Sequence, residues 1–316
     1  MHMIKTNGIH MRIAEMGEGP LVILIHGWPE SWYSWRHQLP ALAKAGYHAV
    51  APDMRGYGKT DAPEKVEDYD IVHLTGDIVG IMDTLGEETA VIIGHDWGAI
   101  VAWNCMLLHP DRFRALVAMS VPYYGRANES PIDSMKKTFG DNFYYILYFQ
   151  EYGKAEAEFD ADPHGILSRL YLSPDSPRED PELTDPKLSA GGWIPRLGAP
   201  KGLPDWLTKE NLDYYVNEFA GAGFRGGINY YRNSQRNWEI TPHLEGAIIE
   251  KPVLFIAGEK DVVIRRAKED MLKAAMSRSV KNLHGVKLLP KIGHWVQQEA
   301  PEDTNREILA FLKSIE

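Results

Sequence analysis

Short aliphatic runs recur along the chain, and stretches with the periodicity of amphipathic helices separate them. These runs lack the alternation of polar and apolar residues that is typical of a strand with one solvent-exposed face. Continuous apolar runs are typical of strands in a parallel sheet that is covered on both faces. We predict strands at 21–25, 47–51, 90–93, 115–120, 252–257 and 286–289, and helices at 34–45, 71–85, 97–108, 265–275 and 301–315.

The alternation of strands and helices predicts an α/β fold with a doubly wound, mostly parallel sheet. From residue 122 to residue 240 the alternation stops, and the segment favours helices and loops that contain Pro, Gly, Asp and aromatic residues. We therefore predict a core formed by residues 1–121 and 241–316, with residues 122–240 inserted as a helical cap. We expect the cap to cover the carboxyl edge of the sheet, where α/β proteins bind ligands.

The composition is that of an ordinary globular protein: 316 residues, 44% hydrophobic and 25% charged. Lys and Arg number 34 against 44 Asp and Glu, and the net charge of −10 opposes binding to nucleic acid. A single cysteine, Cys105, excludes an internal disulfide and a thiolate metal cage, and we expect it to pack in the core. The chain has neither a secretion-signal pattern nor an apolar run of roughly 18 residues, so we expect no membrane span and a cytoplasmic location.

The most informative segment connects the predicted strand at 90–93 to the predicted helix at 97–108. Its residues Gly94, His95, Asp96, Trp97 and Gly98 follow the small-x-nucleophile-x-small pattern of a nucleophile elbow, with Asp in the nucleophile position. The turn is too tight for side chains at the two glycines. An ionised Asp96 beside the amino end of the helix is a nucleophile, although a plain helix cap remains an alternative for the same residue. We expect His95 to pack in the turn.

Two further polar residues follow later strands. Asp261 comes after the predicted strand at 252–257, and His294 comes after the one at 286–289. The order Asp96, Asp261, His294 is the nucleophile, acid, histidine order of hydrolases with this topology. The turn after residue 25 places the backbone N–H of Trp28 opposite the elbow, where an oxyanion hole is expected.

These motifs resemble the α/β-hydrolase superfamily, and within it the epoxide hydrolases of the soluble mammalian and plant type. The resemblance includes the segments 26–30, 53–58 and 94–98, and its most specific parts are the cap segments 145–151 and 223–238. In that family each cap segment carries a tyrosine that binds the substrate oxygen. They map to Tyr145 and Tyr231, with Tyr148 and Tyr230 as neighbouring alternatives.

The resemblance implies an α/β-hydrolase fold and the hydrolysis of an epoxide to a vicinal diol. Asp96 attacks the epoxide and forms a covalent ester while Tyr145 and Tyr231 bind the ring oxygen. His294, oriented by Asp261, then activates water, and the backbone N–H groups of Trp28 and Trp97 stabilise the oxyanion. We expect no cofactor and no metal. The expected partners are a small apolar epoxide and water, neither nucleic acid nor a membrane, with a homodimer left open.

Two other functions stay open at this stage. A haloalkane dehalogenase also uses an elbow Asp followed by Trp, and Trp193 or Trp206 in the cap offers an indole for halide binding. Many dehalogenases carry Asn where this chain has Trp28, and some place the triad acid after the strand that precedes the cap, where this chain has Ser120. The second alternative is a noncatalytic receptor, because a fold alone does not guarantee chemistry.

Overall fold

The computed structural model describes all residues 1–316 and contains one eight-stranded sheet. The strand order is β1-β2-β4-β3-β5-β6-β7-β8, and only β2 runs antiparallel to its neighbours. The strands are β1 His2–Thr6, β2 Ile9–Met16, β3 Leu21–Ile25, β4 His48–Pro52, β5 Ala90–His95, β6 Phe113–Met119, β7 Val253–Gly258 and β8 Leu283–Leu289.

Helices cover both faces of the sheet, and a group of helices lies in the long connection between β6 and β7. The helices are α1 Gln38–Lys44, α2 Ile71–Leu85, α3 Trp97–Leu108, α4 Pro131–Phe139, α5 Tyr145–Tyr148, α6 Lys154–Ala161, α7 Pro163–Leu170, α8 Lys209–Ala222, α9 Arg225–Arg232, α10 Ser234–Ile240, α11 Glu269–Met276, α12 Val296–Glu299 and α13 Pro301–Ser314. Helices α4 to α10 form what we call the insertion, residues 120–252. No helix is long and apolar enough to cross a lipid bilayer.

The central strands are apolar throughout because each is buried on both faces. Every residue of β3, β5 and β7 is buried. Side chains of α1 and α13 pack on one face, and those of α2, α3 and α11 pack on the other face, where the apolar core continues into the insertion. At about 1.5–3 kcal/mol for each large aliphatic side chain, burial holds the strand ends in fixed positions.

The predicted helices at 34–45 and 265–275 are wrong at their amino ends. A 3-10 turn occupies Trp32–Trp35, and α1 begins only at Gln38. Pro40 explains this start, since proline has no backbone N–H and is tolerated only in the first turn of a helix. Helix α11 begins at Glu269 because Arg265 and Arg266 have positive φ angles of 51° and 61°, which a right-handed helix cannot contain.

The insertion is fastened to the core by buried hydroxyl groups. Trp32 Nε1 donates to the hydroxyl of Tyr214 at 2.8 Å, and Ser34 Oγ lies 2.8 Å from the hydroxyl of Tyr215. Both tyrosines belong to α8, which therefore packs on the turn that follows β3. On the other side, the hydroxyl of Tyr171 donates to the Pro29 carbonyl at 2.6 Å. These bonds hold the insertion over the carboxyl edge of the sheet.

Candidate active site

Asp96 lies in a tight turn between β5 and α3, with φ of 52°. A Cβ atom at Gly98 would lie 1.9 Å from the Ile25 carbonyl oxygen, and one at Gly94 would lie 2.2 Å from the Gly98 carbonyl oxygen. Glycine is therefore required at both positions. The backbone N–H of Trp28 donates to Asp96 Oδ1 at 2.9 Å. The turn thus aims the carboxylate at the carboxyl edge of the sheet.

His294 lies between two carboxylates. Its Nε2 is 3.7 Å from Asp96 Oδ2, and its Nδ1 is 3.1 Å from Asp261 Oδ1. Burial opposes the charged imidazolium, but Asp261 and then Asp96 outweigh it and raise the pKa of His294 to about 9. In the free protein at neutral pH, His294 is therefore an imidazolium.

The two carboxylates have different surroundings. Burial raises the pKa of Asp96, while His294 and the backbone amides of Trp28 and Trp97 act in the opposite direction. The pKa of Asp261 is lowered in spite of burial because His294 lies beside it. The two amides and the imidazolium surround Asp96 with positive groups, which suits an anion and also the oxyanion of an ester intermediate.

The structure separates the four candidate tyrosines into two pairs. The hydroxyl of Tyr148 bonds to Glu158 at 2.9 Å, and that of Tyr230 donates to the Arg55 carbonyl at 2.9 Å, so both are engaged away from Asp96. Tyr145 and Tyr231 line the same cavity as Asp96, with ring centroids 5.7 Å apart. Burial, assisted by the charge of Asp96, raises the pKa values of Tyr145 and Tyr231 well above the ordinary range. Both hydroxyls therefore keep their protons and act as donors.

Two cavities of about 290 Å³ and 460 Å³ meet at Asp96. Asp96, Tyr145, Tyr231 and Val263 line both of them. The walls are otherwise largely aromatic and aliphatic. A substrate whose reacting atoms lie at Asp96 can extend a substituent into either cavity.

Glu30 is a functional candidate that the sequence analysis passed over, although it lies in the segment 26–30 used there. It accepts a hydrogen bond from the Gly27 amide at 2.7 Å and lies 2.9 Å from His95 Nδ1 and from Gln297 Nε2. His95 Nε2 in turn lies 2.8 Å from the His294 carbonyl oxygen. Burial opposes the charge, but His95 lowers the pKa of Glu30 to about 2. The buried pair of Glu30 and His95 thus connects the turn of Trp28, the turn of Asp96 and the loop of His294.

Ser120 is the second residue that the sequence analysis did not assign to the site. Its Oγ lies 2.9 Å from His294 Nδ1. The sequence did contain a signal for this contact, because Ser120 occupies the position where some dehalogenases place the triad acid.

The two tryptophans considered for halide binding have other contacts. Trp206 Nε1 donates to Ser173 Oγ at 2.9 Å, so its N–H is occupied. The ring of Trp193 stacks on Tyr145 with centroids 4.9 Å apart and an interplanar angle of 17°. Trp193 therefore forms part of the wall of the cavity that Asp96 lines, beside Tyr145.

Comparison with known proteins gives the family. Residues 20–301 match the family model of the alpha/beta hydrolase fold. Epoxide hydrolase A of Mycobacterium tuberculosis is 47% identical over 99% of this chain and 97% of its own length. The chain belongs to the α/β-hydrolase family, and within it to the epoxide hydrolases. Epoxide hydrolase 3 of Siraitia grosvenorii agrees, with 41% identity over 98% of this chain and 96% of its own length.

The solved structures support the same assignment. The crystal structure of epoxide hydrolase A from Mycobacterium thermoresistibile is 47% identical and has a TM-score of 0.91, covering 99% of this chain and 97% of that chain. The predicted α/β fold and the resemblance to epoxide hydrolases are thereby confirmed. The protein is an enzyme of this class, and these relatives do not favour a dehalogenase.

Proposed function

We propose that the enzyme hydrolyses an apolar epoxide through a covalent ester on Asp96. The observation that carries this proposal is the grouping of an anionic Asp96, two protonated tyrosines and a histidine bonded to a second carboxylate around one cavity. The aromatic walls suit an apolar substrate. In this proposal residues 122–240 act as the cap that closes the site over the core.

In the first step a carboxylate oxygen of Asp96 attacks an epoxide carbon, and the bond from that carbon to the ring oxygen breaks. The electron pair goes to the ring oxygen, which takes a proton donated through Tyr145 or Tyr231. Charge develops on that oxygen only as the ring opens, so the two hydroxyls stabilise the transition state more than the ground state.

The proton on His294 balances this step. Formation of the ester removes the charge of Asp96, which is one of the causes of the high pKa of His294. The imidazolium then releases a proton to water while water returns a proton to the tyrosine, so ester formation neither consumes nor releases a proton overall. His294 is thereby converted to the neutral base that the second step requires.

In the second step His294 Nε2 removes a proton from water, and the water oxygen attacks the carboxyl carbon of Asp96. The amides of Trp28 and Trp97 stabilise the oxyanion. The bond from the carboxyl carbon to the ester oxygen, which came from Asp96, then breaks. That oxygen takes the proton from His294 and leaves with the diol, and the new carboxyl group of Asp96 returns its proton to His294. One oxygen of Asp96 is replaced by the oxygen of water.

Oxygen exchange provides the decisive test. A single turnover of styrene oxide in ¹⁸O-labelled water should place the label in the carboxylate of Asp96 and leave the first diol unlabelled. Asp96→Ala should form no diol, and His294→Ala should accumulate a protein whose mass is increased by that of the substrate. Label in the first diol would contradict the ester mechanism, because it would mean that water attacks the epoxide directly.

The tyrosines are tested by removing their hydroxyls. Tyr145→Phe or Tyr231→Phe alone should slow ester formation roughly 10- to 1000-fold, and the double variant should lose far more, because each hydroxyl supplies general-acid assistance. Tyr148→Phe is the matched control, since its hydroxyl bonds to Glu158. Rapid-quench mass spectrometry measures the step. A fully active double variant would remove the tyrosines from the mechanism.

A further inference from the structure

The chain reverses sharply at the end of β6, and Ser120 is the central residue of that turn. Its φ is 70°, and the Val121 amide donates to the Met119 carbonyl at 2.8 Å. A three-residue turn with this hydrogen bond and a positive central φ is a γ-turn of the rare, strained form. Ser120 is fully buried. Strained backbone of this kind persists only where the surroundings enforce it, and it concentrates at functional sites.

The surroundings hold this turn from both sides. The Ser120 amide donates to the Ile256 carbonyl on β7 at 3.0 Å. The Val121 carbonyl accepts a hydrogen bond from Trp103 Nε1 on α3 at 2.9 Å. Both neighbouring elements therefore support a backbone conformation that costs free energy by itself.

The turn aims the hydroxyl of Ser120 at the base of the proposed mechanism. Ser120 Oγ lies 2.9 Å from His294 Nδ1, while the two oxygens of Asp261 lie 3.1 Å and 3.3 Å from the same nitrogen. The Ser120 hydroxyl also helps to lower the pKa of the Asp261 carboxylate. The protonated Nδ1 of His294 only donates, so the hydroxyl oxygen of Ser120 and the Asp261 carboxylate both act as acceptors for it. His294 Nδ1 therefore has two acceptors side by side.

We propose that Ser120 is a positioning residue for His294 in the hydrolysis of the ester. It gives the imidazole a second partner beside Asp261, which keeps the proton on Nδ1 and holds Nε2 toward Asp96. The inference rests on the proposed function, because it assigns Ser120 to the second chemical step alone. In the first step Asp96, Tyr145 and Tyr231 make and break the bonds, Ser120 bonds to none of them, and His294 only gives up a proton afterwards.

Ser120→Ala tests this role with separate rate constants for the two steps. We expect ester hydrolysis to slow about tenfold, the usual effect of losing one hydrogen bond to a group that becomes charged. Ester formation should stay within about twofold of wild type, so the ester accumulates during turnover and kcat and KM fall together. Rapid-quench mass spectrometry follows the ester, with His294→Ala as the reference that retains it. Ser168→Ala, the loss of another buried serine hydroxyl, should change neither step.

Ser120→Gly separates the hydroxyl from the backbone strain. Glycine adopts a positive φ without cost, so this variant removes the hydroxyl and relieves the turn together. It should hydrolyse the ester as slowly as Ser120→Ala. Wild-type hydrolysis in either variant, or equal slowing of both steps, would overturn the role of Ser120 while leaving the ester mechanism intact. Absence of any ester in the His294→Ala reference would instead overturn the proposed function and this inference with it.

Discussion

Replacing Asp261 with Asn tests how much of the basicity of His294 comes from its buried partner. The substitution preserves the size of the side chain and removes its charge. Asp261 Oδ1 lies 3.1 Å from His294 Nδ1, and Asp261 is the largest of the causes that raise the pKa of His294 from 6.5 to about 9. Without that charge, we expect the pKa of His294 to fall, because burial remains and only Asp96 and Glu30 still raise it.

The pKa of His294 also sets the expected size of the effect on ester hydrolysis. A rise from 6.5 to about 9 corresponds to roughly 3 kcal/mol of preference for the charged ring. Asp96 supplies part of that preference in the free enzyme but none in the ester, where it is uncharged. In the ester, Asp261 supplies most of the preference for the charged ring that remains. Its loss should therefore slow ester hydrolysis on the order of 100-fold. Ester formation should slow less, because the amides of Trp28 and Trp97 still hold the Asp96 carboxylate.

Rapid-quench mass spectrometry of Asp261→Asn with excess styrene oxide measures both effects. The ester should reach nearly the full enzyme concentration and decay slowly. Asp270→Asn, a change on the exposed first turn of α11, is the control and should behave as wild type. A variant of Asp261 that hydrolyses the ester at the wild-type rate would refute the reasoning, because the buried charge would then contribute nothing to the base.

Further predictions concern pH and stability. His294 stabilises the fold while it is charged, so its contribution to stability is complete below pH 6.5 and is lost as pH rises through about 9. Urea titrations should show that the difference in free energy of unfolding between wild type and His294→Gln falls by about 3 kcal/mol over that range. The pKa of Glu30 is lowered to about 2, so its contribution is present above pH 4.5 and is lost as pH falls toward 2. At pH 7, Glu30→Ala should cost about 3 kcal/mol or more, because the buried donors of Gly27, His95 and Gln297 lose their acceptor, and an unchanged urea midpoint would contradict this. Gly98→Ala should not fold stably, because the new Cβ would lie 1.9 Å from the Ile25 carbonyl oxygen; an unchanged melting temperature would show that the elbow can relax.

The sequence by itself was sufficient to predict the α/β fold class. Apolar runs without alternation marked β3, β5 and β7, and these strands are buried on both faces. The need for glycine on either side of Asp96 was also predictable, because a tight turn excludes side chains from the residues that form it. Such features depend on neighbours within a few positions, so periodicity and residue type report them directly.

Tertiary structure decided the features that depend on distant contacts. The resemblance maps the first tyrosine to Tyr145 and leaves Tyr148 as a neighbouring alternative. Only the packing of the insertion shows that Tyr145 lines the cavity of Asp96 while Tyr148 bonds to Glu158. Ser120 and His294 are 174 positions apart, and their contact exists only because β6 and β8 end at the same edge of one sheet. The sequence therefore determined which residue types were available for the chemistry, and the packing of the strands and the insertion decided which side chains lie within hydrogen-bonding distance of one another.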